Sequence, residues 1–144
     1  MEKEFILYEQ VLALKELGFD EKCGACYYKK FDNEIGYHKV YRDFNFVSLT
    51  VSAPTFSQAF RWFREKYKLY PEIGLHDRED EETWRFTISI LGYYELAYNQ
   101  NVGKEPYHKT YEEAELDCLR KLIEIIKLIK NYRKRNKKWI SSIG

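Results

Sequence analysis

Thr55-Phe56-Ser57-Gln58-Ala59-Phe60-Arg61-Trp62-Phe63-Arg64-Glu65-Lys66-Tyr67 is the stretch on which the fold turns. Thr55 and Gln58 have the spacing of a capping box. The threonine oxygen accepts from a free amide of the first turn while the glutamine side chain reaches back. Behind them Phe56, Phe60, Phe63, Tyr67 and Tyr70 recur at spacings of four, three, four and three, which sets them on one face of a helix. Arg61, Arg64, Glu65 and Lys68 take the wet side, and Pro71 is expected to stop the helix because it has no amide hydrogen to give. So apolar a face needs a sheet to lie on, and the flanking segments supply strands.

Ala25 to Phe31 and Tyr37 to Arg42 are rich in tyrosine and alternate loosely, with Asp32-Asn33-Glu34-Ile35-Gly36 as turn chemistry between them, so they read as a hairpin. Phe44 to Val51 continues the sheet, with Val47, Leu49 and Val51 on one face. Upstream, Phe5-Ile6-Leu7 reads as extended and Tyr8 to Leu17 as a helix. Gly18 closes it in the left-handed conformation while Phe19 folds back on Leu14. Downstream, Asp77 to Glu82 reads as a mostly acidic loop. Trp84, Phe86, Ile88 and Ile90 then alternate with Arg85, Thr87 and Ser89 as a half-buried strand, and Gly92 allows a turn into a partner strand, Tyr93 to Tyr98.

The last helix opens at Thr110, with Glu113 as its capping partner. At about 100° per residue, Tyr111, Cys118, Leu122, Ile125, Ile126 and Ile129 share one face, widened by Leu119 and Ile123. Arg133 would fall in the middle of that face, so the packed part is expected to end near Tyr132. The expected architecture is one α+β domain over residues 1–132, a single mainly antiparallel sheet covered by two or three helices, with a long C-terminal helix and a basic extension over residues 133–144.

Composition narrows the class. The chain has 144 residues, 44% hydrophobic and 33% charged, so it can bury a core without disulfide or metal staples. It holds no apolar run of the roughly 18 residues that a membrane helix needs. Met1-Glu2-Lys3-Glu4 does not read as a signal peptide, and three cysteines are not a disulfide framework. Together these lead us to expect a cytoplasmic protein with no membrane partner. The net charge of +1 conceals an asymmetry: Arg120 to Gly144 holds nine Lys or Arg and a single acid, Glu124, so everything before it is net negative.

Chemistry-bearing motifs are weak. Cys23-Gly24-Ala25-Cys26 has the C-x-x-C spacing of redox dithiols and half zinc sites, but it leads into a strand. The remaining ligand types, Cys118, His38, His76 and His108, are scattered, so structural cysteines are the reading and no metal or cofactor is expected. No histidine lies in a sequence motif with a Ser or Cys nucleophile. The glycines form no phosphate loop, and Asp77 to Glu82 lacks the central glycine of a calcium loop. An enzyme is not expected.

Two surfaces stand out instead. Lys127, Lys130, Arg133, Lys134, Arg135, Lys137 and Lys138 make a run able to neutralise phosphates, with Tyr132 and Trp139 for stacking. The competing reading is that these cations merely complement the helix dipole and keep the protein soluble. Tyr37, Tyr41, Tyr93, Tyr94 and Tyr98 fall on strands and cannot all face one core, which suits a protein-contact patch.

Three blocks resemble a family of short, uncharacterised proteins of gut Bacteroidetes and their phages. They are Ala53 to Tyr67 (Ala53-Pro54-Thr55-Phe56-Ser57-Gln58 onward), Thr110 to Ile125 (Thr110-Tyr111-Glu112-Glu113-Ala114 onward), and Tyr8-Glu9-Gln10 through Leu17-Gly18-Phe19-Asp20-Glu21. The resemblance implies a phage or mobile-element setting, and no activity or site residue comes with it. The basic run beyond Lys127 is longer than the family leads one to expect. The leading expectation is a non-enzymatic accessory protein, in the bacterial host cytoplasm if phage-encoded, that binds a host or phage protein. The alternative is nucleic-acid binding through the basic helix and tail.

Overall fold

Three helices and two three-stranded antiparallel sheets make up the described chain. This computed structural model describes the backbone of residues 4–29, 37–40, 50–78, 81–90, 96–99 and 107–143, and the side chains of residues 4–27, 51–75, 82–90, 107–138 and 142. The α+β class and the long last helix agree with the sequence reading.

Helix α1 (Tyr8–Glu16) ends as its glycine requires. Gly18 has φ 96°, its amide donates to the Lys15 carbonyl at 3.0 Å, and the Phe19 amide donates to Leu14 at 2.9 Å. That pair of bonds is the Schellman closure. Ahead of α1, Phe5 bridges Thr55 in antiparallel fashion, so the extended entry is real but short. Strands β1 (Cys26–Lys29), β2 (Tyr37–Val40) and β3 (Thr50–Ser52) form the first sheet in the order β2-β1-β3, with Lys29 opposite Tyr37 at the hairpin end. Val47 and Leu49 lie outside the described residues.

Helix α2 (Phe56–Tyr67) carries the expected capping box. Gln58 N donates to Thr55 Oγ1 at 3.2 Å, and Thr55 N donates to Gln58 Oε1 at 3.1 Å. Its C-terminus departs from expectation. Lys68, not Pro71, ends the helix, by adopting the left-handed conformation (φ 56°), with its amide still bonded to helical carbonyls. Tyr70 and Pro71 therefore belong to strand β4 (Leu69–Arg78). An edge strand tolerates a proline because its outward amides need no partner, and β4 is an edge in the order β4-β5-β6.

Two further expectations are corrected here. Most of Asp77 to Glu82 is not loop: β4 and β5 (Glu81–Ile90) pair through Asp77 opposite Glu82 and Arg78 opposite Glu81, and residues 79 and 80 lie outside the described residues. The single sheet is in fact two. With β4 folding back on β5, and β6 (Leu96–Asn99) pairing on its other side, the second sheet is complete from local neighbours and never joins the first among the described residues.

Helix α3 (Tyr111–Ile143) packs along β4 and β5 and touches α1 and α2. Phe63, Leu14, Ile6, Leu69, Ile88, Leu119, Leu122 and Ile126 are fully buried at the junction of these elements. Trp62, which lies off the three-four spacing of the α2 face, is also buried, its ring edge-on to Phe19 at 5.4 Å.

Candidate functional site

The first five turns of α3 do the packing. Thr110 Oγ1 accepts from Glu113 N at 3.2 Å, while the Glu113 carboxylate reaches to the Lys109 amide at 3.1 Å. Ala114, Cys118, Leu119, Leu122, Ile123 and Ile126 are buried. Burial then stops: from Lys127 to Lys138 every side chain is exposed, although the helix continues unbroken to Ile143. At 1.5 Å per residue, about 25 Å of helix extends beyond Ile126, the last buried side chain among those described.

That distal half has two faces. Around the axis, Lys127, Lys130, Arg133, Lys134, Lys137 and Lys138 fall within an arc of about 140°, with Arg135 outside it. The helix dipole does not account for them. Its influence fades within the final turn, and the final turn of α3 holds no basic residue. Hollows of about 420 and 290 Å³ lie among Lys130, Arg133, Lys134, Asn136 and Lys137, and among Asn131, Lys134, Arg135 and Lys138. Both are open to solvent, between neighbouring side chains of the one helix. Lys130 also reaches back to the domain, where its Nζ donates to the Leu17 carbonyl at 3.1 Å.

No protein-family model, curated protein or solved structure matches this chain.

The opposite face is one that the sequence reading missed. Leu128 is 61% exposed, Tyr132 67% and Ile129 37%, and all three lie together on one side of the distal helix. The signal is present as spacing, but periodicity alone puts Ile129 with the core face and Leu128 with none. The expected tyrosine contacts lie outside the described side chains: Tyr41, Tyr93 and Tyr94 are outside the described residues, and only the backbone of Tyr37 (on β2) and Tyr98 (on β6) is described.

The cysteines belong to the core. Cys23, Cys26 and Cys118 are all buried and none is in a disulfide, and Cys23 Sγ lies 3.4 Å from the Glu21 carbonyl. Burial, with Glu115 nearby, pushes the Cys118 thiol far above the usual thiol range. His108, buried, pairs its backbone with Trp84 and sets Nε2 2.7 Å from Asp117, whose other oxygen accepts from Arg120 at 3.1 Å. Partial burial raises the Asp117 carboxyl, but the bonds from His108 and Arg120 outweigh it and hold the group below its ordinary value.

A groove of about 410 Å³ lies where the N-termini of α2 and α3 meet, lined by Glu4, Thr55, Ser57, Tyr111, Glu112 and Glu115 among others. Partial burial and then the neighbouring Glu112 carboxylate push Glu115 up to about 7. It is the acidic end of a helix whose other half is cationic.

Proposed function

We propose that this protein is a nucleic-acid-binding accessory module whose contact element is the cationic face of distal α3. The observation that carries this reading is the placement of seven Lys and Arg, with no acid among them, on a helix that has left its own core. Cations that stabilise a helix belong in its last turn, whereas these extend over three turns before it. Phosphate neutralisation is the use that such an array suits, and an α-helix fits the major groove of a duplex. A phage or mobile-element setting, implied by the resemblance, is the context in which we place such a module.

The test is a salt titration of duplex DNA binding by the full chain. Five or six phosphate contacts give a slope of log affinity against log salt of roughly −5. Replacing Lys127, Lys134 and Lys137 with Gln removes three cations that make no core contact, and should flatten the slope by about 2.5. A salt-independent affinity, or an unchanged slope in the triple variant, would refute the proposal.

Protein binding is the second reading, because the exposed Leu128 and Tyr132 are contact chemistry that phosphate recognition does not use.

A further inference from the structure

Distal α3 has an apolar stripe on the side away from its lysines, with Arg133 and Arg135 at its two edges. Ile125, Ile129, Tyr132 and Asn136 succeed one another at spacings of four, three and four, and in the sequence the same alternation continues to Trp139 and Ile143. This is the a/d repeat of a coiled coil, with Ile129, Asn136 and Ile143 at a and Ile125, Tyr132 and Trp139 at d. Leu128, at g, widens it. The stripe is turned about 60° from the face that buries Cys118, Leu122 and Ile126; its first member, Ile125, packs on the core, and from Leu128 to Tyr132 the domain no longer covers it.

We infer that this stripe is the seam on which a second copy of the chain docks, helix to helix, parallel and in register. The placement of charge selects that occupant. Lys127, Lys130, Lys134, Lys137 and Lys138 all fall at b, c or f, the positions that face solvent in a two-stranded coil. In parallel register Leu128 at g meets Arg133 at e of the other copy, and Arg135 at g meets Ile140 at e. No two cations therefore face each other across the seam. Asn136 decides against a lipid surface, because an amide in the middle of the stripe would sit unpaired in hydrocarbon. Between two copies it meets its own equivalent at an a position, where a single Asn fixes register and strand number. Nucleic acid has no use for the Ile and Leu of the stripe. The dimer would carry the cationic faces of both helices outward, so this inference adds a second surface to the proposed function without depending on it.

The experiment is analytical ultracentrifugation of nuclease-treated, full-length protein. Wild type should show a monomer–dimer equilibrium that tightens between ~0.1 and ~1 M salt, as the screening length falls from ~10 to ~3 Å and the two cationic helices cease to repel. Polyanion binding has the opposite salt dependence, so the two properties separate. Leu128→Asp with Tyr132→Asp, both at exposed positions, should weaken the dimer by about tenfold or more with helicity and melting of the core retained. Asn136→Leu should tighten association or shift it to higher oligomers, and it tests the seam even if the double variant folds poorly. Wild type that stays monomeric overturns the inference. So does a dimer indifferent to both variants, or association seen only on added DNA or on phosphatidylglycerol vesicles.

Discussion

Lys130 Nζ donates a hydrogen bond to the carbonyl of Leu17 at 3.1 Å, tying the point where α3 leaves the core to the end of α1. Leu17 is the C-cap of α1, and its carbonyl also accepts from Tyr67 Oη at 3.2 Å. A cation at a helix C-terminus and an orphan carbonyl satisfy each other, so this contact fastens three helices at one atom.

Lys130→Met should therefore lower stability by about 0.5–1 kcal/mol, because it removes the charge and leaves the hydroxyl of Tyr67 as the carbonyl's other donor. Lys134→Met, the same change one turn beyond the tie, should stay within about 0.5 kcal/mol of wild type. Thermal melts of both variants check this. Equal losses would show that the contact contributes nothing particular.

Truncation after Tyr132 should leave a folded protein, since no described side chain beyond Ile126 is buried and Lys130 is retained. The melting temperature should move little, while DNA binding should be lost with Arg133 to Lys138. Loss of cooperative unfolding in circular dichroism would mean that the tail packs on the domain, contrary to the exposure of residues 127–138.

Phe63→Ala should cost about 3–5 kcal/mol and Ile126→Ala about 2–5, because both side chains are fully buried where α2, α3 and the second sheet meet and each leaves a cavity. Ile129→Ala, one turn further along α3 and partly exposed, should cost well under either in the monomer. Urea denaturation at low protein concentration gives all three values.

Glu115 gives stability a pH dependence of definite sign. Its carboxyl titrates at about 7 in the folded chain against an ordinary 4.5, so the folded state holds a proton that the unfolded chain has released between those values. The associated stability is present in full below about pH 4.5 and is lost as pH rises to 7. Glu115→Gln keeps the side chain neutral. It should flatten that fall and leave the protein about 1 kcal/mol more stable than wild type at pH 8, a figure discounted because the side chain is partly solvated. Asp117 has the opposite sign: its stabilisation is present at neutral pH and is lost as pH falls through its lowered pKa. Denaturation midpoints from pH 4 to 8 would separate the two groups.

What the sequence determined by itself was local. The Thr55–Gln58 cap, the Gly18 closure of α1, the alternation of Phe86 and Ile88 and the Cys118–Ile126 part of the α3 core stripe each depend on neighbours within about one turn or one strand, and each is in the structure as read, whereas Tyr111 and Ile129 at the two ends of that stripe are exposed. Tertiary structure decided the rest. Lys68 ends α2 in a left-handed conformation that a lysine adopts only when its surroundings hold it there, and that turn released Tyr70 and Pro71 into a strand. Strand alternation shows which side of a strand is apolar and not which strands pair, so the split into two sheets was not written in it. The site followed the same division. Its seven cations could be counted in the sequence, but that they stand clear of the core, with an apolar stripe behind them, depends on where the domain stops covering α3, and only packing fixes that point.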